Sequence, residues 1–90
     1  SLEVTPHVAR APVNVRLVVK IAPDHAHRTL HVMGESLNYY RESDIELNPH
    51  QRTYTFSWRD LPLGEYVFTA IVVDADGKQH RIQTSAEYVE

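Results

Sequence analysis

The run Trp58-Arg59-Asp60-Leu61-Pro62-Leu63-Gly64-Glu65-Tyr66-Val67-Phe68-Thr69-Ala70-Ile71-Val72-Val73-Asp74-Ala75-Asp76-Gly77 reads as strand end, tight corner, long strand and hairpin turn. Pro62 presets a turn backbone, and Gly64 is free to take φ > 0. Tyr66 opens an apolar strand in which its ring can be buried while its hydroxyl reaches back to the corner, the logic of a tyrosine corner. From Glu65 to Asp74 both faces are apolar, which predicts a strand central in its sheet. Asp76-Gly77 is a hairpin signal, and a type I′ turn is expected there.

Outward from this run the same period of two recurs. Val13, Val15, Leu17, Val19 and Ile21 alternate with mostly polar residues, the pattern of a strand with one buried face, which Ala22-Pro23-Asp24 ends. Arg28 to about Ser36 places Leu30 and Val32 on one face and Thr29, His31 and Met33 on the other, with Gly34 as a candidate bulge. Leu37 to Leu47 is less regular and reads as two short strand pieces or one bent edge strand. Gln51 to Arg59 aligns Tyr54, Phe56 and Trp58 as the expected heart of the core. Lys78 to Val89 turns Ile82, Thr84, Ala86 and Tyr88 inward, and Leu2 to Val8, stopped by Pro6 and Pro12, supplies an edge. About seven short strands with no helical periodicity predict an all-β chain, an immunoglobulin-like antiparallel β-sandwich forming a single domain over residues 1–90.

Composition narrows the functional classes. With 42% hydrophobic and 23% charged residues the chain lies far from disordered sequences. A chain of this size buries roughly 60–65% of the surface its unfolded form exposes, so a large enclosed active site is hard to fit. The net charge is −3 and the nine Lys and Arg are scattered, so there is no basic stripe to track phosphates and no nucleic acid is expected. No run reaches the length of a membrane span, so no membrane insertion is expected. The absence of cysteine removes disulfides, thiolate chemistry and Cys-ligated zinc. An extracytoplasmic location, periplasmic or secreted, is expected for such a sandwich.

Leu61-Pro62-Leu63-Gly64-Glu65-Tyr66-Val67-Phe68-Thr69-Ala70, continued by Asp74-Ala75-Asp76-Gly77, resembles the L-P-x-G-x-Y-x-x-x-A…D-x-x-G ending of bacterial immunoglobulin-like domains and their fibronectin type III relatives. The resemblance covers about the last third of the chain. It implies a structural or protein-binding module within a larger or exported bacterial protein. The same ending resembles, more weakly, the C-terminal half of small periplasmic copper carriers, which have an aspartate-glycine-histidine near the end. Here the run is Asp76-Gly77-Lys78-Gln79-His80, and with Met33 as the single methionine a thioether-rich cuprous site is out of reach.

Several residues invite chemistry. Six histidines are present, and His25, His27 and His31 are clustered in sequence. Imidazole suits zinc, copper and nickel, and histidines at i and i+2 of a strand point the same way about 6.7 Å apart. His31 would lie about 20 Å from His25 in an extended chain, so the three converge only if 24–28 folds back. The metal candidates are therefore His25, His27, His31 and His80, against a solvated loop with His31 facing outward. Asp74, Asp76 and Gly77 resemble the start of a calcium loop, but Ser85 stands where the bidentate glutamate belongs, which favours the hairpin. No Ser sits in a Gly-x-Ser-x-Gly elbow, and the pairs Glu42/Asp44 and Asp60/Glu65 read as solvated turn residues, so no enzyme activity is expected. Tyr39, Tyr40 and Arg41 are candidate binding residues, since aromatics and arginine concentrate at hot spots; the competing role is to cover the core edge. Val67, Ile71 and Val73 form an interaction surface if nothing covers them.

The sequence thus points to a non-enzymatic immunoglobulin-like module without cofactor, whose partner is another protein or domain. The alternative is a small periplasmic copper- or zinc-binding protein, and a second alternative is a carbohydrate-binding accessory domain working through Tyr39 or Tyr40.

Overall fold

The structure, a computed structural model, describes residues 1–22, 24 and 26–90. It contains eight strands: β1 Leu2–Thr5, β2 Val8–Arg10, β3 Val13–Lys20, β4 His27–Glu35, β5 Tyr40–Glu46, β6 Thr53–Leu61, β7 Gly64–Asp74 and β8 Gln79–Val89. They form a three-stranded sheet of order β1-β3-β6 and a five-stranded sheet of order β2-β8-β7-β4-β5. No helix occurs among the described residues. All pairings are antiparallel except that of β2 with β8.

The predicted alternation accounts for the core. Val13, Val15, Leu17 and Val19 of β3, with Tyr54 and Trp58 of β6, face Leu30 and Val32 of β4, Tyr66, Phe68, Ala70 and Val72 of β7, and Ala86 and Tyr88 of β8. β7 lies between β8 and β4, which explains why both its faces are apolar. The aromatic centre is Tyr66, stacked on Phe68 at 5.6 Å and tilted against Tyr88 at 5.3 Å, with Trp58 against Phe68 at 6.3 Å. At the corner the Tyr66 hydroxyl donates to the Pro62 carbonyl at 2.8 Å, and Gly64 holds a φ of 154°.

Several expectations are corrected. The segment 2–8 is two strands in different sheets, because the chain crosses from β1 to β2 at Pro6, so eight strands replace seven. Residues 40–46 form one edge strand, the second of the two expected readings. Gly34 marks no bulge, since the register runs unbroken through it on both sides. A Cβ there would meet Phe68 Cε1 at 2.7 Å and Trp58 Cζ3 at 2.9 Å; the glycine is where two rings press on the backbone. In β4 the register shifts between His27 and Thr29 instead, and a second irregularity lies in β6, where the pairs Val13–Leu61 and Val15–Trp58 leave an extra residue and Asp60 adopts a φ of 60°. Asp tolerates this left-handed geometry, and its amide is held by Asn14 Oδ1 at 3.2 Å.

Phe56 is half-buried at the rim of the core rather than at its heart. Ile82 lines an open cleft of about 230 Å³ with Val19, Ile21 and Val72 and stays exposed. The Asp74–Lys78 hairpin is a type I turn, not type I′: Gly77 donates to the Asp74 carbonyl at 3.0 Å and alone takes a positive φ, 84°, while Asp76 accepts the Lys78 amide.

Candidate metal centre

The β7–β8 hairpin and the start of β4 meet at one end of the five-stranded sheet. Asp74 is the last residue of β7, on the face that carries Tyr66, Phe68, Ala70 and Val72, so its carboxylate continues the core-facing row just where the apolar residues stop. His27 pairs with Asp74 in register, and a shift between His27 and Thr29 lets it leave the alternation of β4. His80 lies opposite Val72 on the hairpin's second strand. The junction is tied together by backbone: Ala75 donates to the Ala26 carbonyl at 2.7 Å, Asp74 donates to the Lys78 carbonyl at 2.8 Å, and His27 donates to the Asp24 carbonyl at 3.1 Å.

This convergence brings two imidazoles onto one carboxylate. His80 Nε2 lies 3.0 Å from Asp74 Oδ2, and His27 Nε2 lies 3.4 Å from Asp74 Oδ1. The rings are 5.9 Å apart and inclined by 59°, and one ligand atom from each of the three residues falls within 4.8 Å of the others. His27 and Asp74 are largely buried, with side chains 17% and 13% exposed, whereas His80 opens to solvent at 49%. Asp74 Oδ1 is shielded from solvent and accepts no hydrogen bond from a described residue; its contact with His27 is an ion-pair distance without hydrogen-bond geometry. A buried oxygen without a donor costs about 1–3 kcal/mol, so this one calls for a cation or a proton-bearing partner. Asp24 stands beside the group: its Oδ1 accepts the Ala26 amide at 2.8 Å, leaving Oδ2 3.9 Å from His27 Nε2.

The sequence candidates are thereby separated. His27 and His80, 53 positions apart in numbering, are brought together. His31 is not with them: it faces outward in mid-β4 and pairs with Asp44 of β5. His25 lies outside the described residues. Sequence reasoning missed Asp74 as a partner of histidine because it read the residue as a turn aspartate. The available signal was parity, since Asp74 shares the inward face with Val72.

Tyr39, Tyr40 and Arg41 do not share one surface. Tyr39 packs edge-on against Tyr66 at 6.3 Å, Tyr40 is exposed and donates to Glu42 Oε2 at 2.8 Å, and Arg41 turns over the Trp58 ring at 5.7 Å. On the outer face of the five-stranded sheet Ile71 is covered, because its register neighbours are the long side chains His31 and Arg81. Val67 stands exposed between Ser85 and Glu35.

No protein-family model matches the sequence, and no curated protein sequence matches it. Among solved structures the fold is similar to superoxide reductase (neelaredoxin) from Ignicoccus hospitalis, with a TM-score of 0.66 and 15% identity over 98% of this chain and 80% of that one. It is equally similar to a variant of the same protein, with a TM-score of 0.67 and 17% identity over 98% of this chain and 79% of that one. This corrects the expected kinship with immunoglobulin-like and fibronectin type III domains. The motif behind that expectation spans one corner, whereas the match spans nearly the whole chain. It also overturns the non-enzymatic structural or protein-binding module, since the proteins sharing this fold bear the name of an enzyme. What the similarity establishes for this chain is an all-β fold of two sheets shared with superoxide reductase.

Proposed function

We propose that the chain is a small metalloprotein that binds a divalent first-row transition-metal ion through His27, Asp74 and His80. The observation that supports this most is the buried Asp74 Oδ1, set between two imidazoles and without a hydrogen-bond donor among the described residues. A metal ion satisfies that oxygen and takes one nitrogen from each ring. Two histidines and one carboxylate suit zinc, copper and iron, and the set leaves coordination positions open. Bound there, the ion would supply Lewis acidity or, if iron or copper, one-electron chemistry. The chain's own contribution is placement. His27 and Asp74 are fixed by paired strands, and the half-exposed His80 is the ligand reached from solvent.

The test is equilibrium titration with Zn(II), Cu(II) and Fe(II), followed by the histidine NMR resonances. Saturable binding is expected with a dissociation constant below roughly 10 μM. Asp74→Ala and His80→Ala should weaken it by about two orders of magnitude or more, above the loss typical of an outer-shell partner, while His31→Ala should leave it unchanged. Wild-type protein without saturable binding, or with binding that survives Asp74→Ala, would sink the reading.

A second reading, superoxide reduction, is favoured by the fold likeness. Its assay is superoxide consumption by the iron-loaded protein. A rate above that of Asp74→Ala under the same loading extends the neighbours' named activity to this chain; equal rates confine the reading to metal binding.

A further inference from the structure

The opposite end of β7 carries a second feature that the metal reading does not use. Val8, Leu37, Leu63 and Val67 are four of the seven large hydrophobic side chains exposed among the described residues, and all four line one groove of about 1040 Å³. Such gathering of exposed apolar groups is what marks an interaction site, whereas single exposed hydrophobics need no explanation. The groove begins at the edge strand β2, passes β8 and the start of β7, and ends at the turn between β4 and β5. By strand rise it lies roughly 30 Å from Asp74, at the other end of the eleven-residue β7.

The fixed charges that line it are of one sign, with the His7 imidazole beside them. Glu35, Glu65 and Glu87 line the groove, and no Lys or Arg does. Glu65 and Glu87 are register partners on adjacent strands, so two carboxylates face each other directly, an arrangement that is destabilising in the free protein. None of the three is in an ion pair with a described residue. The wider face agrees: Glu42, Asp44 and Glu46 occupy the same outer side along β5, against two strand cations, Arg81 on β8 and Arg10 on β2.

We propose that this groove docks an extended segment of a partner protein that carries aliphatic side chains flanked by Lys or Arg. Leu37, Leu63 and Val67 take the aliphatic groups, and the Glu65–Glu87 pair with Glu35 takes the cations. The opposed carboxylates are relieved when a cation sits between them, so a cationic partner removes a repulsion present in the free chain. The inference is independent of the metal site, and the metal-free protein serves to test it.

The probe is the hexapeptide Lys-Leu-Lys-Val-Lys-Leu titrated into isotope-labelled protein, beside Lys-Ser-Lys-Ser-Lys-Ser and Glu-Leu-Glu-Val-Glu-Leu as controls. The expected result is a set of shift changes confined to the groove with the first peptide only. Leu37→Ser and Leu63→Ser should each weaken it by about tenfold, the loss that follows from removing one aliphatic contact. Glu65→Gln with Glu87→Gln should weaken it similarly, while Glu42→Gln with Glu46→Gln, on the same face outside the groove, should not. Binding of the serine peptide as tight as that of the leucine peptide, equal loss in both glutamine pairs, or no shifts at millimolar peptide overturns the proposal. Sedimentation of the protein alone closes the remaining case: a dimer dispersed by Leu63→Ser assigns the groove to a second copy and overturns it too.

Discussion

Three tyrosines hold loops to the core by the same device, an apolar ring buried inward and a hydroxyl bonded to backbone. Tyr66 donates to Pro62, Tyr88 donates to Pro6 at 2.6 Å, and Tyr54 both donates to the Asn48 carbonyl and accepts its amide. Tyr66→Phe is expected to cost about 1–3 kcal/mol in a denaturant titration, because the Pro62 carbonyl loses its donor inside the corner. Burial raises the Tyr66 hydroxyl above its ordinary range, and burial together with the neighbouring Tyr66 pushes Tyr88 up to about 12. The unfolded chain then ionises near pH 10 while the folded chain stays protonated, so the folded state binds more protons above that point. Stability is therefore full below pH 10 and lost as pH rises toward about 12, a decline that Tm against pH will show. Gly34→Ala is expected to lower stability by about 1–3 kcal/mol through overpacking against Phe68 and Trp58, read as a drop in Tm. The inward rings of Tyr54 and Tyr88 follow from strand alternation, but of the hydroxyl bonds only that of Tyr66 is legible in the sequence, because its Pro and Gly neighbours announce a corner. Tyr54 and Tyr88 bond to residues that local sequence does not place beside them, and Gly34 is explained by rings on two other strands.

Strands and turns were the most legible level, since period-two alternation reports a local fact about which side is buried. β3 and β7 follow from their own residues. The corner from Leu61 to Tyr66 answers to turn geometry, and that geometry is common to many sandwiches; it could name an architecture but not a family, which is why the expected kinship failed. The candidate metal centre was half visible. Histidine types pointed to His27 and His80, but the third member came from pairing of strand ends, a relation of β4, β7 and β8 that no spacing encodes. Asp74 is both a hairpin residue through its backbone and the shared acid through its side chain. Zinc is therefore expected to slow amide exchange at Ala75 and through Gln79–Ile82, with little change at the corner. Exchange that is unaltered by zinc at the hairpin would remove His80 from the ligand set.

For the molecule as a whole, the net charge of −3 conceals a segregation. Glu35, Glu42, Asp44, Glu46, Glu65 and Glu87 crowd the outer side of the five-stranded sheet against two strand cations, Arg10 and Arg81, while Arg16 and Lys20 stand on the exposed side of β3. Repulsion along the acidic face is screened by salt, so Tm is expected to rise between about 10 and 200 mM NaCl, and Glu87→Gln should raise Tm at low salt and narrow that rise. Average composition cannot reveal such a pattern, because it depends on which side each strand residue faces. The parallel pairing of β2 with β8 carries a different consequence, for the response to force. β2 lies near one end of the chain and β8 near the other, joined from Glu87–His7 to Ala11–Val89 by backbone bonds of 2.7 Å. Tension applied through the two ends pulls these parallel strands past one another, so their bonds share the load and should break together, in one rupture under force spectroscopy instead of a stepwise unzipping.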